Sequence, residues 1–366
     1  MSGTESYFPL PEYPLLSICI PTYNRAKYLT NLLKNLTHSF SIKIQNVETI
    51  IADNASTDET LAICELYRKH LPIKIISRSE TIVGAKNYID LINNGSNGKY
   101  CLIMGDDDML VKGGLEYLLS ELNKYAEAHF FINNFGNAPH NEIIKAVDNY
   151  GSEFLGDFHP LGLVDSSEVQ KFYSFHDSIA SGKYDFARYL SFLSLIFRRD
   201  TCLIEASQLS KYLSTAELSQ YEPEYWFTHY VLWLRSLKNR EGYFLPKTVI
   251  IQGVGTQIGS WANDNNIIGI YTNVYPLLFE EFVKCECNKD QLKTFRREIV
   301  IHYWSGVFLS LKKRIWPFNK MKGWLYHSFL NFPILAKHPK LFLHFLVEIC
   351  SGWVRRYIKH PCTQQK

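Results

Sequence analysis

No Cys-x-x-Cys pair occurs among the eight cysteines of this 366-residue chain, and no His or Cys stands at zinc spacing around Cys285-Glu-Cys287, their closest pair. Cysteine-rich zinc modules are excluded, and several thiols lie inside apolar runs, so reduced, mostly buried cysteines of a cytosolic protein are expected. The first residues lack the charged start and apolar core of a secretory signal, and no run of about 18 uncharged apolar residues is present. Neither a signal peptide nor a membrane-spanning helix is expected. Acidic residues are nearly missing from the end of the chain: residues 311–366 hold eleven of the 39 Lys and Arg but one of the 36 acids, Glu348. The tail therefore carries +10 and residues 1–310 carry −7, although the whole chain is only +3. Such asymmetry points to an anionic partner for the tail. No known nucleic-acid module is visible, so nucleic acid is not the expected partner.

What is present is a folded-protein composition, 46% hydrophobic and 20% charged, with aromatics high at 14%. Short apolar runs alternate with helical patterns. Leu15–Pro21, Val47–Ala52, Ile73–Ile76 and Cys101–Met104 read as buried strands. Ala26–Leu36, Glu59–Leu71 and a segment from Gly84 to about Asn94-Gly95 read as helices, the second capped by Ser56 or Thr57 with Asp58 near its positive end. Strand–helix alternation predicts an α/β domain with a mainly parallel, doubly wound sheet.

The fourth strand, in Lys99–Leu110, stops at Gly105 and three successive carboxylates, Asp106, Asp107 and Asp108. Adjacent carboxylates repel one another, so a strand ending in them is costly unless a cation is present. Ligands gather at the carboxyl ends of strands in open α/β sheets, and such oxygens suit Mg²⁺ or Mn²⁺. A solvated acidic turn capping the next helix is the alternative.

Four ordered blocks, Ser17-Ile-Cys-Ile-Pro-Thr-Tyr-Asn-Arg25, Ile51-Ala-Asp-Asn-Ala-Ser-Thr-Asp58, Gly84-Ala-Lys-Asn87 and Gly105-Asp-Asp-Asp108, together resemble the family 2 glycosyltransferases of the GT-A fold. The Asp-Asn-Ala-Ser-Thr-Asp form and Leu193-Ser-Leu-Ile-Phe-Arg-Arg199 resemble the bacterial O-antigen abequosyltransferase-type branch. The resemblance implies that Pro21, Thr22 and Tyr23 line the nucleotide base pocket, that Asp53 accepts the base N–H, and that Lys86 lies near the donor phosphates. The acidic block departs from the usual family spelling, Asp-x-Asp-Asp, because Gly105 replaces the first acid. Two registers remain: under one, Asp107 and Asp108 are the last two acids; under the other, Asp106–Asp108 is itself the Asp-x-Asp. Either way one carboxylate is expected on a divalent metal, Asp107 or Asp108, and another, such as Asp106, on the ribose or donor sugar. The metal would neutralise charge growing on the departing nucleoside diphosphate.

Residues 127–134, Ser194–Phe197 and Gly242–Ile251 read as further strands, and residues 135–185 as a long polar binding loop or lid. Gly253–Gly259 has the wrong spacing for a phosphate loop and reads as a flexible loop. Glu222–Trp233 reads as one apolar helix with proline near its start, placing Glu222, Tyr225 or Trp226 and His229 on one face. An inverting transferase needs a general base for the acceptor hydroxyl, and Glu222, Glu224, His229 and Asp185 are the candidates. A helix-start Glu serving the dipole and a satisfied core His are the plain alternatives. From Tyr271 onward the pattern is helical. The tail interleaves its bases with ten aromatics between Trp316 and Tyr357, as in an interfacial amphipathic segment, or as in a helical domain with core aromatics and solvated lysines.

The expectation is a GT-A domain over 1–255 and a helical basic region over 256–366, peripheral to the cytoplasmic face of the membrane. The implied partners are a nucleoside-diphosphate sugar, a glycan or lipid-linked oligosaccharide acceptor and an anionic membrane surface. A sugar nucleotidyltransferase would open with a Gly-rich, Arg-containing loop where Pro-Thr-Tyr-Asn-Arg stands, and a catalytically inactive glycan-binding member would release no nucleotide.

Overall fold

The structure is a computed structural model, and it describes residues 9–40, 46–149, 168–181, 189, 191–215, 223–254, 269–270, 274–296 and 298–299. The chain divides into two compact units: Met1–Leu218 with Phe227–Ile258, and Ser219–Trp226 with Gly259–Lys366.

In the first unit the strands are β1 (Leu16–Thr22), β2 (Val47–Asp53), β3 (Ile73–Ser77), β4 (Tyr100–Ile103), β5 (Met109–Leu110), β6 (Phe130–Pro139), β7 (Gln170–Phe172), β8 (Leu195–Arg198) and β9 (Gly242–Val254). They form one sheet in the order β3-β2-β1-β4-β8-β6-β9-β5, with β7 beside β9. The first four strands pair in parallel, because a helix crosses over the sheet between each of them and the next. Beyond β4 the character changes: β8 runs antiparallel to both β4 and β6, and β5 and β7 run antiparallel to β9. The sheet is thus mixed: β1–β4 form one parallel block, and β6 and β9 pair in parallel at the other end.

The helices α1 (Ala26–Ser39), α2 (Thr60–Tyr67), α3 (Gly84–Asp90), α4 (Gly114–Lys124) and α5 (His140–Asp148) follow the strands, and a single wider turn, Leu91–Gly95, extends α3. The leucine stripe Leu29, Leu32, Leu33 and Leu36 of α1 is buried in one cluster with Ile18 and Ile20 of β1, Ile51 of β2 and Leu102 of β4. Each such burial contributes roughly 1.5–3 kcal/mol. A smaller cluster packs Ile143, Ala146 and Val147 of α5 on Met109, Ala138 and Ile251. The aromatic richness is spent partly around Phe175, whose ring meets Phe130, Tyr189, Tyr230 and Trp233 edge-on.

Several expectations need correction. Residues 135–149 are not a loop: β6 continues to Pro139 and α5 follows, because Ile143, Ala146 and Val147 repeat at helical spacing. Residues 170–172 and 175–180 are also ordered elements, while 150–167 lie outside the described residues. Glu222–Trp233 is not one helix. Pro223–Trp226 and Thr228–Ser236 are separate, broken at Phe227 with φ −126° and ψ 37°, so the spacing that grouped Glu222, Trp226 and His229 does not hold. α2 begins at Thr60 with no side-chain cap from Ser56 or Thr57.

In the second unit, Val274, Tyr275, Leu278, Phe282 and Phe295 are buried, and the Phe282 and Phe295 rings stack at 3.9 Å. Cys285 and Cys287 are buried free thiols. The basic tail, 311–366, lies outside the described residues.

The two-residue strand β5 sits at the end of the sheet, and its free edge is closed by a side chain. The buried Asn35 of α1 donates to the Leu110 carbonyl at 3.0 Å and accepts the Leu110 N–H at 2.8 Å. Asn35→Leu should therefore cost about 1–3 kcal/mol for each Leu110 group left unpaired. Urea unfolding measures this; an unchanged midpoint would mean that the amide does not hold the edge.

Candidate functional site

Parallel register brings three strand ends together. Thr22 lies opposite Asp53 across β1 and β2. The Met104 N–H donates to the Cys19 carbonyl at 2.9 Å, which carries the chain after β4 alongside the end of β1. The loops that follow are stitched to each other. Asn24, at φ 52°, accepts the Thr57 N–H at 2.7 Å, and the Asn24 N–H donates to Ser56 Oγ at 2.8 Å. Asp58 accepts the N–H groups of Ala26 and Thr60, serving the starts of two helices. Asn tolerates the left-handed backbone; Ala55, at φ 62°, adopts it at a cost of about 1–3 kcal/mol and is held there by the loop around it.

The three carboxylates have different surroundings. Asp108 is buried, and both its oxygens take backbone N–H groups: Gly105 at 2.7 Å and Gly253 at 3.0 Å. Burial and the neighbouring Asp107 charge push its pKa well above the usual carboxylate range. Asp106 accepts the Thr22 hydroxyl at 2.8 Å and Arg25 Nε at 3.0 Å. Its pKa rises to about 6, chiefly through burial, with the Arg25 charge opposing the rise. Asp107 meets Arg25 Nη2 at 2.5 Å, and its side chain is 18% exposed against 9% for Asp106. Gly105 has a physical reason: a Cβ there would stand 2.7 Å from Asp108 Oδ2 and 3.0 Å from Asp107 Oδ1. The acid of the usual family spelling has no room.

A cation is therefore present at the acidic turn, and it is a side chain of this protein. The Arg25 guanidinium spans Asp106 and Asp107 and lies 4.1 Å from the Tyr28 ring centroid. The Tyr28 ring meets His140 edge-on at 4.5 Å. Both ring nitrogens of His140 are buried without a hydrogen-bond partner of good geometry, although the Asp107 backbone is near. Burial pushes this imidazole's pKa down.

The other expected residues fall as follows. Pro21 and Thr22 close β1, and Tyr23 is 46% exposed beyond it. Asp53 ends β2 at 1% exposure and accepts the Ser56 N–H at 3.2 Å and the Ser77 hydroxyl at 3.4 Å, bonds that hold the turn after β2. Lys86 pairs with Asp90 at 2.8 Å, and Arg78 pairs with the same carboxylate at 2.9 Å. His229 is 3% exposed among Tyr88, Phe192, Phe227 and Trp233. Its backbone N–H donates to the Tyr88 hydroxyl at 2.9 Å. Four rings surround the imidazole, and its Nδ1 lies 3.5 Å from the Tyr88 hydroxyl, the surroundings expected of a satisfied core histidine. Glu224 is half-buried on the short helix Pro223–Trp226 of the second unit; Glu222 and Asp185 lie outside the described residues.

Sequence reasoning missed Arg25, His140, Arg78 and Gly253. Arg25 had a signal, a base at the end of the first strand's loop. Gly253 was read as loop, but it is in β9, and a Cβ there would fall deep inside contact with the Asp107 carbonyl oxygen.

Residues 17–175 match the family model described as glycosyl transferase family 2. This segment is a family 2 glycosyltransferase domain. The abequosyltransferase RfbV of Salmonella typhimurium is 36% identical over 117 residues, covering 31% of this chain and 34% of that protein. The GalNAc(5)-diNAcBac-PP-undecaprenol beta-1,3-glucosyltransferase of Campylobacter jejuni is 28% identical over 162 residues, 43% of this chain and 46% of that protein. The chain thus spans less than half the length of these curated relatives. The crystal structure of Staphylococcus aureus TarS 1–349 in complex with UDP-GlcNAc superposes with a TM-score of 0.59 at 16% identity, covering 85% of this chain and 79% of that one. At that identity the likeness establishes the fold, which is GT-A.

Gly253→Ala should lower stability by about 1–3 kcal/mol, since the end of β9 must move off the Asp107 carbonyl. Thermal unfolding by circular dichroism checks it; an unshifted Tm would show that the acidic turn and β9 are not locked together.

Proposed function

We propose that the chain is a glycosyltransferase that moves a sugar from a nucleoside diphosphate to a hydroxyl of a lipid-linked glycan in surface polysaccharide synthesis. The observation that carries this reading is the convergence of the β1, β2 and β4 ends on one acidic turn, with Thr22 beside Asp53 and bonded to Asp106. That is where open α/β sheets bind nucleotides. The family 2 domain supports sugar transfer, and the Campylobacter relative, named for an undecaprenol-linked glycan, supports the acceptor class.

A divalent cation, Mg²⁺ or Mn²⁺, fits the donor set. Such ions take one or two carboxylates and complete their shell with substrate phosphates and water. Asp107 has the more exposed carboxylate and would hold it, while Asp108, with both oxygens on backbone N–H groups, keeps the turn in shape. Among the described residues no group of three His, Cys, Asp or Glu could hold a metal alone. When bound, the ion would neutralise charge on the departing nucleoside diphosphate. Asp106 faces the ribose or donor sugar. Pro21, Thr22 and the exposed Tyr23 ring line the base pocket, and Asp53 reads the base. Lys86, with Arg78 beside it on Asp90, supplies positive charge for the phosphates. The general base is sought among Asp185, Glu222, Glu224 and His229, because a base must reach the acceptor hydroxyl. We also assign the +10 tail to an anionic membrane surface, which would hold the domain beside a lipid-linked acceptor.

Calorimetric titration with a panel of nucleoside diphosphates tests the site. One of them should bind more tightly with Mn²⁺ than without. Asp107→Asn should remove that difference, and Asp53→Ala should cost about 1.5–3 kcal/mol of affinity. Equal affinity with and without Mn²⁺ would overturn the metal role. For the tail, the full chain should float with anionic vesicles and less so at high salt; indifference to vesicle charge would overturn that assignment.

A further inference from the structure

The acidic turn already holds a cation, and the donor and metal must contend with it. Arg25 Nε and Nη2 engage Asp106 and Asp107 at 3.0 and 2.5 Å, and the Tyr28 ring lies 4.1 Å from the guanidinium. Its side chain is only 12% exposed. The pairing is not made by a flexible surface residue: the Arg25 N–H donates to Thr60 Oγ1 at 3.1 Å, and the next residue, Ala26, donates to Asp58 at 3.1 Å. The backbone of Arg25 is thus tied to the loop after β2, while its side chain reaches across to the turn after β4. Arg25 thus occupies Asp107 Oδ2, on the more exposed of its two carboxylate partners.

Resting on the donor-site reading above, we propose that Arg25 is an exchangeable counter-ion. In the empty site it neutralises Asp106 and Asp107. When donor and metal arrive together, the divalent ion takes its place on Asp107 and the planar guanidinium turns to the donor diphosphate, gripping two phosphate oxygens in a fork. A bare metal ion meets the Arg25 charge at close range and binds poorly. The diphosphate without metal finds Arg25 already committed to two carboxylates. Together they exchange partners: the metal neutralises Asp107, Arg25 gains the diphosphate, and Asp106 keeps the Thr22 hydroxyl and faces the ribose or donor-sugar hydroxyls. Arg25 thereby makes metal and diphosphate bind with positive coupling, and the coupling is the same whichever arrives first. This is a positioning role, distinct from the phosphate role given to Lys86, whose partner is Asp90.

The readout is opposite in sign for the two ligands, which a merely structural arginine would not produce. Free Mn²⁺ measured by electron paramagnetic resonance gives the affinity for metal alone, and calorimetry with Mn²⁺–pyrophosphate gives the affinity for the diphosphate complex. Arg25→Gln should bind Mn²⁺ alone roughly tenfold more tightly and Mn²⁺–pyrophosphate several-fold more weakly. Arg25→Lys, which keeps the charge, should bind Mn²⁺ alone about as weakly as the wild type. If Arg25→Gln binds Mn²⁺ no better, or both variants gain equally, the exchange is wrong. The wild type alone also tests it: pyrophosphate must strengthen Mn²⁺ binding, and independence of the two overturns the proposal even if Arg25→Gln fails to fold. A wild type that binds the nucleoside diphosphate with Mn²⁺ but shows no such exchange leaves the donor-site reading standing without it; one that binds neither Mn²⁺ nor any nucleoside diphosphate ends both.

Discussion

Three consecutive carboxylates at the end of a buried strand are the constraint around which this site is arranged. Like charges so close, two of them with little access to water, need compensation within hydrogen-bond reach. The molecule supplies it in two ways. Asp106 and Asp107 share the Arg25 guanidinium, and Asp108 takes two backbone N–H groups. One is a pairing with a side chain from the loop after β1; the other is part of the chain's own framework.

That framework reaches well beyond the turn. Asp108 ties the end of β4 to the end of β9, Gly253 permits their approach, and Asn35 of α1 closes the edge of β5 just after the acids. The loops after β1 and β2 are bonded to each other through Asn24, Ser56, Thr57 and Asp58. A nucleotide-sized ligand at these strand ends would therefore meet groups already oriented, which reduces the ordering cost of binding.

The parallel half of the fold was legible in the chain because each of its strands is a short apolar run between turn residues, and each is followed by a helical stripe. The runs at Leu15, Val47, Ile73 and Cys101 became β1–β4 within one or two residues. The later half was harder. β6 runs on through Asn133, Asn134 and Gly136, which propensity assigns to loops, and it survives there because pairing with β9 and burial outweigh local preference. The break at Phe227 was likewise invisible, since the apolar pattern continues through it.

By itself, the sequence determined that acids end a central strand, that the motif order is that of a family 2 domain, and that charge is segregated into the tail. These are properties of local pattern and composition, so no tertiary contact is needed to read them. Only the tertiary structure decided what each acid does. Asp106, Asp107 and Asp108 are chemically identical in the chain, and they differ because separate elements supply their partners: Thr22 and Arg25 from the end of β1, Gly253 from the end of β9. The same holds for His229, which the fold surrounds with the distant Tyr88 and Phe192 as well as its neighbours Phe227 and Trp233. A residue's charge state and reach depend on what is packed within a few ångströms of it, and contacts between residues 80 to 145 positions apart come into being only when the sheet is assembled.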